Sequence, residues 1–258
     1  MPEMNGFPSG TPGWTDLAAP DVDAATRFYE GLFGWESFSP GPEDLTGGYR
    51  IFTKGGKQVA GYGPPGPGEP PSWRTYVIVD DVDGTVGKIK GAGGNVMAQM
   101  DVMDQGRNAV FSDPTGAVCC LWEPGEHRGA QLVNEPGAMS WNELATRDTA
   151  AAKSFYGQAF GWEARDQDMG GMPYTTWVLG DHPVGGMFDM SGNLPGEIPP
   201  HWLTYFNVED CDAVVAKAGE LGGSALREPT DVAPGRFAVL SDPNGAAFAV
   251  IAVAEQPG

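Results

Sequence analysis

The chain has 258 residues, of which 41% are apolar, enough to fill a sizeable core and to exclude wholesale disorder. Its 15 Lys and Arg stand against 34 Asp and Glu, and the formal charge of -19 disfavours nucleic-acid backbones and anionic membrane surfaces as partners. No stretch approaches the length of a membrane span, and residues 1–13 lack the basic start and apolar run of a secretory signal, so a cytoplasmic chain is expected. The three cysteines, Cys119, Cys120 and Cys211, have neither the pairing of a disulfide framework nor CxxC spacing and are expected as buried thiols.

In chain order, 14–18 is predicted as a strand. Asp21 or Asp23 then caps a helix whose apolar face includes Ala24, Ala25, Phe28 and Leu32, and which Gly34 ends. Strands follow at 49–53 and 58–62. The segment GPPGPGEPP at 63–71 cannot form a regular element and is expected as an exposed crossing. Beyond it come a strand at 74–79, a helix at 82–91, and strands at 109–112 and 118–122 around the turn Asp113, Pro114, Thr115, Gly116.

The whole order then recurs. WTDLA at 14–18 returns as WNELA at 141–145, and DVDAATRFYEGLFGWE at 21–36 as DTAAAKSFYGQAFGWE at 148–163, both at a spacing of 127. SWRTYVIVDDVD from Ser72 matches HWLTYFNVEDCD from His201, and GRNAVFSDPTGA from Gly106 matches GRFAVLSDPNGA from Gly235, at a spacing of 129. Two domains are predicted, 1–128 and 139–258, joined by a linker at 129–138.

The paired FY and FGW motifs after Asp21 and Asp148, with SDPxGA at Ser112 and Ser241, resemble the vicinal oxygen chelate superfamily of glyoxalases, bleomycin-resistance proteins and extradiol dioxygenases. The resemblance implies an α+β fold: tandem glyoxalase-like domains whose four βαβββ modules form cupped, mixed sheets. It does not single out one activity, because that superfamily holds lyases, transferases, dioxygenases and binding proteins.

In the metal-using members, ligands recur at four places. By this resemblance they fall on Trp14, Gly61, Arg74 and Cys120 in the first repeat and on Trp141, Gly186, Leu203 and Ala249 in the second. None is a His or a carboxylate; an indole or aliphatic group donates no lone pair to a divalent cation, and a guanidinium repels one. No metal site is expected. His127 in the Gly- and Pro-containing stretch around 124–137, His182 before Pro183 and His201 outside its strand are expected in surface or structural roles. No cofactor is expected either, since PGPGEPP lacks the Lys and the following helix of a phosphate-binding loop.

Strand alternation assigns the cup faces. Trp14 and Asp16 share a face with Arg74, Tyr76, Cys120 and Trp122; Trp141 and Glu143 share one with Tyr205 and Asn207. These ten residues are the candidate ligand-binding set, and their aromatic walls suit a flat organic molecule. The expected function is metal-independent binding of an aromatic or largely apolar small molecule, in sequestration or tailoring of a natural product, by a monomer or homodimer. Two alternatives stand beside it: a metal-free enzyme with Asp16 or Glu143 as general acid or base and Arg74 stabilising an oxyanion, and a protein-interaction module with vestigial cups. The cup containing Arg74 is the expected working one, since Leu203 replaces the guanidinium in the other.

The ligand positions generate a direct expectation. Elemental analysis of protein purified and briefly dialysed should find no stoichiometric zinc, nickel, iron or manganese; one tightly held transition metal per chain contradicts it.

Overall fold

The computed structural model describes residues 4–169, 171 and 173–254. The first repeat opens with β1 (Thr11–Ala18), α1 (Val22–Phe33), β2 (Glu36–Phe38), a short α2 (Glu43–Thr46), β3 (Arg50–Lys54) and β4 (Lys57–Gly63). Its second module is β5 (Ser72–Ile78), α3 (Val82–Gly91), β6 (Asn95–Val102), β7 (Gly106–Ser112) and β8 (Val118–Pro124). The second repeat supplies β9 (Met139–Thr146), α4 (Thr149–Phe160), β10 (Glu163–Asp168), β11 (Pro173–Leu179) and β12 (His182–Asp189), then β13 (His201–Asn207), α5 (Cys211–Glu220), β14 (Ser224–Val232), β15 (Gly235–Ser241) and β16 (Ala247–Val253).

Each repeat closes on itself in one eight-stranded mixed sheet, ordered β2-β3-β4-β1-β5-β8-β7-β6 in the first and β10-β11-β12-β9-β13-β16-β15-β14 in the second. The opening strands of the two modules pair antiparallel at the centre, while each runs parallel to the last strand of its own module. Four duplicated βαβββ modules in two sheets give the tandem glyoxalase-like fold.

Four helices start alike. Asp21, Asp81, Asp148 and Asp210 each accept a hydrogen bond from the backbone N–H three residues on, satisfying a donor that the helix leaves free. Asp21, not Asp23, is therefore the cap of α1. Gly34 and Gly161 end α1 and α4 at φ 67° and 73°, a left-handed turn that a side chain would strain.

The buried residues of α1 are Ala25, Phe28, Tyr29, Leu32 and Phe33, with Ala24 only half-buried. The predicted apolar face is thus widened to include Tyr29 and Phe33, because α1 is wedged between two sheets. Phe28 meets Phe248 at 6.1 Å and Phe33 meets Phe206 at 5.3 Å, both on the second sheet. In mirror fashion Phe155 of α4 meets Phe111 of the first at 6.0 Å. The sheets pack through the faces opposite the cups. At the centre Thr15 and Thr204 lie 3.2 Å apart, and Thr75 donates to Asn142 at 2.8 Å.

Further ties across this interface come from the motifs that carried the family resemblance. Tyr29 donates to Asp242 in the turn of the other repeat at 3.1 Å while accepting from Trp73 at 2.8 Å. Tyr156 donates to Asp113 at 3.0 Å and accepts from Trp202 at 2.9 Å. Burial raises the Tyr29 and Tyr156 pKa values well above the ordinary phenol value, so both stay protonated as donors.

Removing either hydroxyl strands a buried indole N–H and leaves an aspartate short of a donor. Tyr29→Phe and Tyr156→Phe should each lower stability by about 1–3 kcal/mol, and the double variant by roughly the sum, as read from denaturant midpoints. A change below a few tenths of a kcal/mol in either variant contradicts the interface role.

Candidate functional site

The concave face of each sheet carries the same four groups. In the first, the Tyr76 hydroxyl donates to Asp16 at 2.8 Å, the Tyr49 hydroxyl donates to the same carboxylate oxygen at 3.3 Å, and the Trp14 indole donates to Tyr49 at 3.3 Å. In the second, Tyr205 donates to Glu143 at 2.8 Å, Tyr174 also bonds that carboxyl, and Trp141 donates to Tyr174 at 2.9 Å. A carboxyl held by two phenols, one of them backed by an indole, is therefore built twice.

Tyr49 and Tyr174 are the members that sequence reasoning missed. Each reaches over a glycine, Gly61 or Gly186, that pairs directly with the carboxyl-bearing residue on the neighbouring strand. A Cβ at either glycine would meet the tyrosine hydroxyl. The signal was available in the sequence: a Tyr near the start of the third strand in each copy, and a bare Gly at each place where the family resemblance implies a carboxylate ligand.

The cups differ in charge and in access. In the first, Arg74 lies opposite Asp16 in the strand register, and its Nε donates to the carboxylate at 2.6 Å. Its other arm reaches Glu69 on the 63–71 crossing at 3.2 Å. Burial opposes the Arg74 charge, but Asp16, with Tyr76, Cys120 and Glu69 behind it, outweighs burial and holds the guanidinium charged. Cys120 is fully buried, and that burial pushes its thiol up to about 12, far from a reactive thiolate.

A strap closes the first cup. The chain after β8 folds back across it, with Ala130 donating to the Gly13 carbonyl at 2.8 Å and Gln131 to that of Gln58 at 2.8 Å. The His127 ring, half-buried, sits edge-on to Trp14 at 4.3 Å and also packs on Trp122, whose indole donates to the His127 carbonyl at 2.9 Å. Phe7 packs into the same cluster. Burial pushes His127 down to about 4, so the strap carries no imidazolium near neutrality. Trp14 is 2% exposed, Tyr76 4% and Cys120 0%. These side chains share the predicted face, but they form a sealed core rather than an accessible wall. Outside the strap lies a polar surface cleft of about 500 Å³, lined by residues including Gln58, Gln105, His127 and Arg128.

Among the described residues, the second cup has no counterion at its floor. Leu203 occupies the place of Arg74, opposite Glu143. Burial raises the Glu143 pKa above the ordinary carboxyl value, although the bonds from Tyr205 and Tyr174 and the charge of Arg227 pull the other way. Around this floor Trp141, Val232, Val239 and Ala247 remain half-exposed beside Tyr205, Phe237 and Ile251. Asn207 sits apart: its amide donates to the Asn134 carbonyl of the linker at 3.3 Å. His182 is exposed, and His201 bonds the Pro199 carbonyl at 2.9 Å.

Neither cup fits a divalent metal. The four family positions present indole, glycine, guanidinium and thiol in one cup, and indole, glycine and two aliphatic groups in the other, while tyrosine hydroxyls fill the space over both glycines. Among the described residues, no group of three or more His, Cys, Asp or Glu side chains is placed to hold a metal ion, and no helix is long and apolar enough to cross a membrane.

Comparison with known proteins places these features in a family. The profile of the Glyoxalase/Bleomycin resistance protein/Dioxygenase superfamily matches residues 128–250, and that of the glyoxalase-like domain matches 14–122. The chain is 43% identical over 264 residues to Mycobacterium tuberculosis CFP32, a protein provisionally named a glyoxylase, with 99% of this chain and 100% of that one covered. It is 40% identical over 271 residues to the Streptomyces peucetius anthracycline biosynthesis protein DnrV, covering 98% and 96%. In fold it resembles the Mn(II)-bound glyoxalase of Novosphingobium aromaticivorans, with a TM-score of 0.65 at 15% identity over 95% of this chain and 82% of that one. It also resembles the 2,3-dioxygenase LapB of Pseudomonas sp. KL28, with a TM-score of 0.64 at 14% identity over 97% and 95%. The chain belongs to the glyoxalase, bleomycin-resistance and dioxygenase superfamily, as a two-repeat member without the usual metal-ligand set.

Proposed function

We propose that this protein binds a planar aromatic small molecule in its second cup, without a metal. The observation that carries the reading is the repeated carboxyl, phenol and indole floor, ion-paired and covered by the strap in one copy but, among the described residues, without a counterion and with its indole, Trp141, left partly exposed in the other. This moves the expected working site from the Arg74 cup to the Glu143 cup, because Arg74 is committed to Asp16 and Glu69 beneath a strap. Trp141, Tyr205 and Phe237 supply flat apolar surface, and Glu143 with Tyr174 supplies a polar point for orientation. One relative is named for anthracycline biosynthesis, and anthracyclines are fused-ring aromatics carrying carbonyl and hydroxyl groups. Such a molecule matches a cup with apolar walls and a hydrogen-bonding floor.

The raised Glu143 pKa favours a second reading at the same site: proton transfer to or from a ligand carbonyl, with the carboxyl as acid or base and a tyrosine hydroxyl steadying the oxygen. Both readings use one cup and differ in whether the bound molecule emerges changed.

Binding is tested by tryptophan emission with a neutral fused-ring probe such as anthraquinone-2-carboxamide. Trp141→Phe should remove most of the probe-induced change, whereas Trp14→Phe, altered in the sealed cup, should leave it largely intact. A response that depends on Trp14 and not on Trp141 overturns the assignment.

Glu143 gives a pH signature. A carboxyl whose folded pKa is raised carries no penalty below its unfolded value, and costs stability increasingly as pH rises through the folded value. Glu143→Gln should therefore raise the melting temperature at pH 8 by a few degrees, roughly 2–4 °C per kcal/mol for a chain of this size. The gain should shrink towards pH 4. A difference independent of pH contradicts charge burial at Glu143.

A further inference from the structure

Strand register draws a line of side chains across the second cup. Trp141 pairs with Tyr205, Tyr205 with Ala249, Ala249 with Val239, and Val239 with Arg227, so all five project from the same face. In the first sheet the equivalent line is Trp14, Tyr76, Cys120, Val110 and Ala98. The cation therefore occupies different places in the two copies: on the floor as Arg74 in one, on the outer strand as Arg227 in the other.

Arg227 is exposed, and its guanidinium lies 5.0 Å from the centroid of the Phe237 ring, which lines the cup. Its charge reaches the floor, favouring the ionised forms of both Glu143 and Tyr205. Arg236 and Arg107, the arginines of the matching hairpins, are each bound to aspartates on neighbouring elements. Arg227 makes no ion pair among the described residues, in a chain with 34 acidic side chains. The register around it shifts on both sides, between Ala225 and Arg227 and between Arg227 and Thr230, so the strand is bulged where the guanidinium leaves it.

We propose that Arg227 selects the ligand of the second cup by clamping an anionic carboxylate borne by the aromatic molecule, at the end opposite the group that meets Glu143. The inference rests on the second cup being the binding site. An arginine fork held over a ring face can grip a carboxylate with two parallel hydrogen bonds while the ligand's rings continue the apolar surface. With a net charge of -19 the protein repels anions at long range, so the preference must come from this local contact and not from general attraction.

The test compares anthraquinone-2-carboxylate with anthraquinone-2-carboxamide, two probes of the same ring system that differ in charge, by calorimetric titration. The unaltered protein should bind the carboxylate at least tenfold more tightly than the amide. Arg227→Gln should abolish that preference while leaving amide affinity within about twofold, and Arg227→Lys should keep part of it. A preference that survives Arg227→Gln, or an equal loss for both probes, overturns the clamp while leaving the cup as the binding site. Failure of both probes to bind the unaltered protein overturns the clamp together with the reading on which it rests.

Discussion

The two repeats are held back to back by shared apolar cores in which a pair of reciprocal hydrogen bonds is set. The tyrosine that follows Phe in each repeat's first helix donates to the aspartate of the other repeat's turn, and each tyrosine is also the acceptor for a buried tryptophan. That aspartate spends its second oxygen on the backbone of its own turn: Asp242 accepts from the Asn244 and Ala246 N–H groups at 2.8 and 2.9 Å. The helix of one copy, the central strand of that copy and the last hairpin of the other are thereby fixed together. With their backs locked in this way, the concave faces are left as the only large faces of the sheets free to diverge.

They have diverged by moving charge. A buried ion pair adds little net stability but costs much when broken, so the Asp16 and Arg74 pair acts as a geometric constraint on the first cup. The other copy keeps the carboxyl and both phenols yet gives up the counterion, and burial shifts Glu143 towards its neutral form. A neutral carboxyl can donate as well as accept a hydrogen bond. One set of residues thus forms an ion-paired joint in the first repeat and a buried carboxyl held by phenols in the second.

The repeat was legible in the sequence because duplicated helix starts, FGW ends and DPxG turns survive as near-identical strings, and strand alternation put Trp14, Asp16, Arg74, Tyr76, Cys120 and Trp122 on one face. The outer strands β2, β6, β10 and β14 escaped notice. They are largely exposed, and β10 is exposed along its whole length, so the alternation that marks a half-buried strand is missing. Whether a cup stands open was equally illegible, because it depends on where the linker travels and not on the composition of the walls. His127 illustrates the point: in sequence it is a polar residue in a glycine-containing connector, and only the fold sets its ring against Trp14. Arg227 was hidden by its exposed strand, although the alignment that matches Val239 with Val110 also sets it against Ala98.

The strap over the first cup belongs to the segment that joins the two repeats: it leaves β8, crosses that cup, and enters the second sheet, where Gly137 donates to the Asn207 carbonyl at 2.7 Å. Two separate copies related by a twofold axis would have to present identical cups, whatever their sequence. A covalent connector cannot obey such an axis, since it departs from one copy and arrives at the other. Joining the copies therefore breaks their equivalence before any side chain in a cup has changed, and a substitution within the strap alters one cup alone.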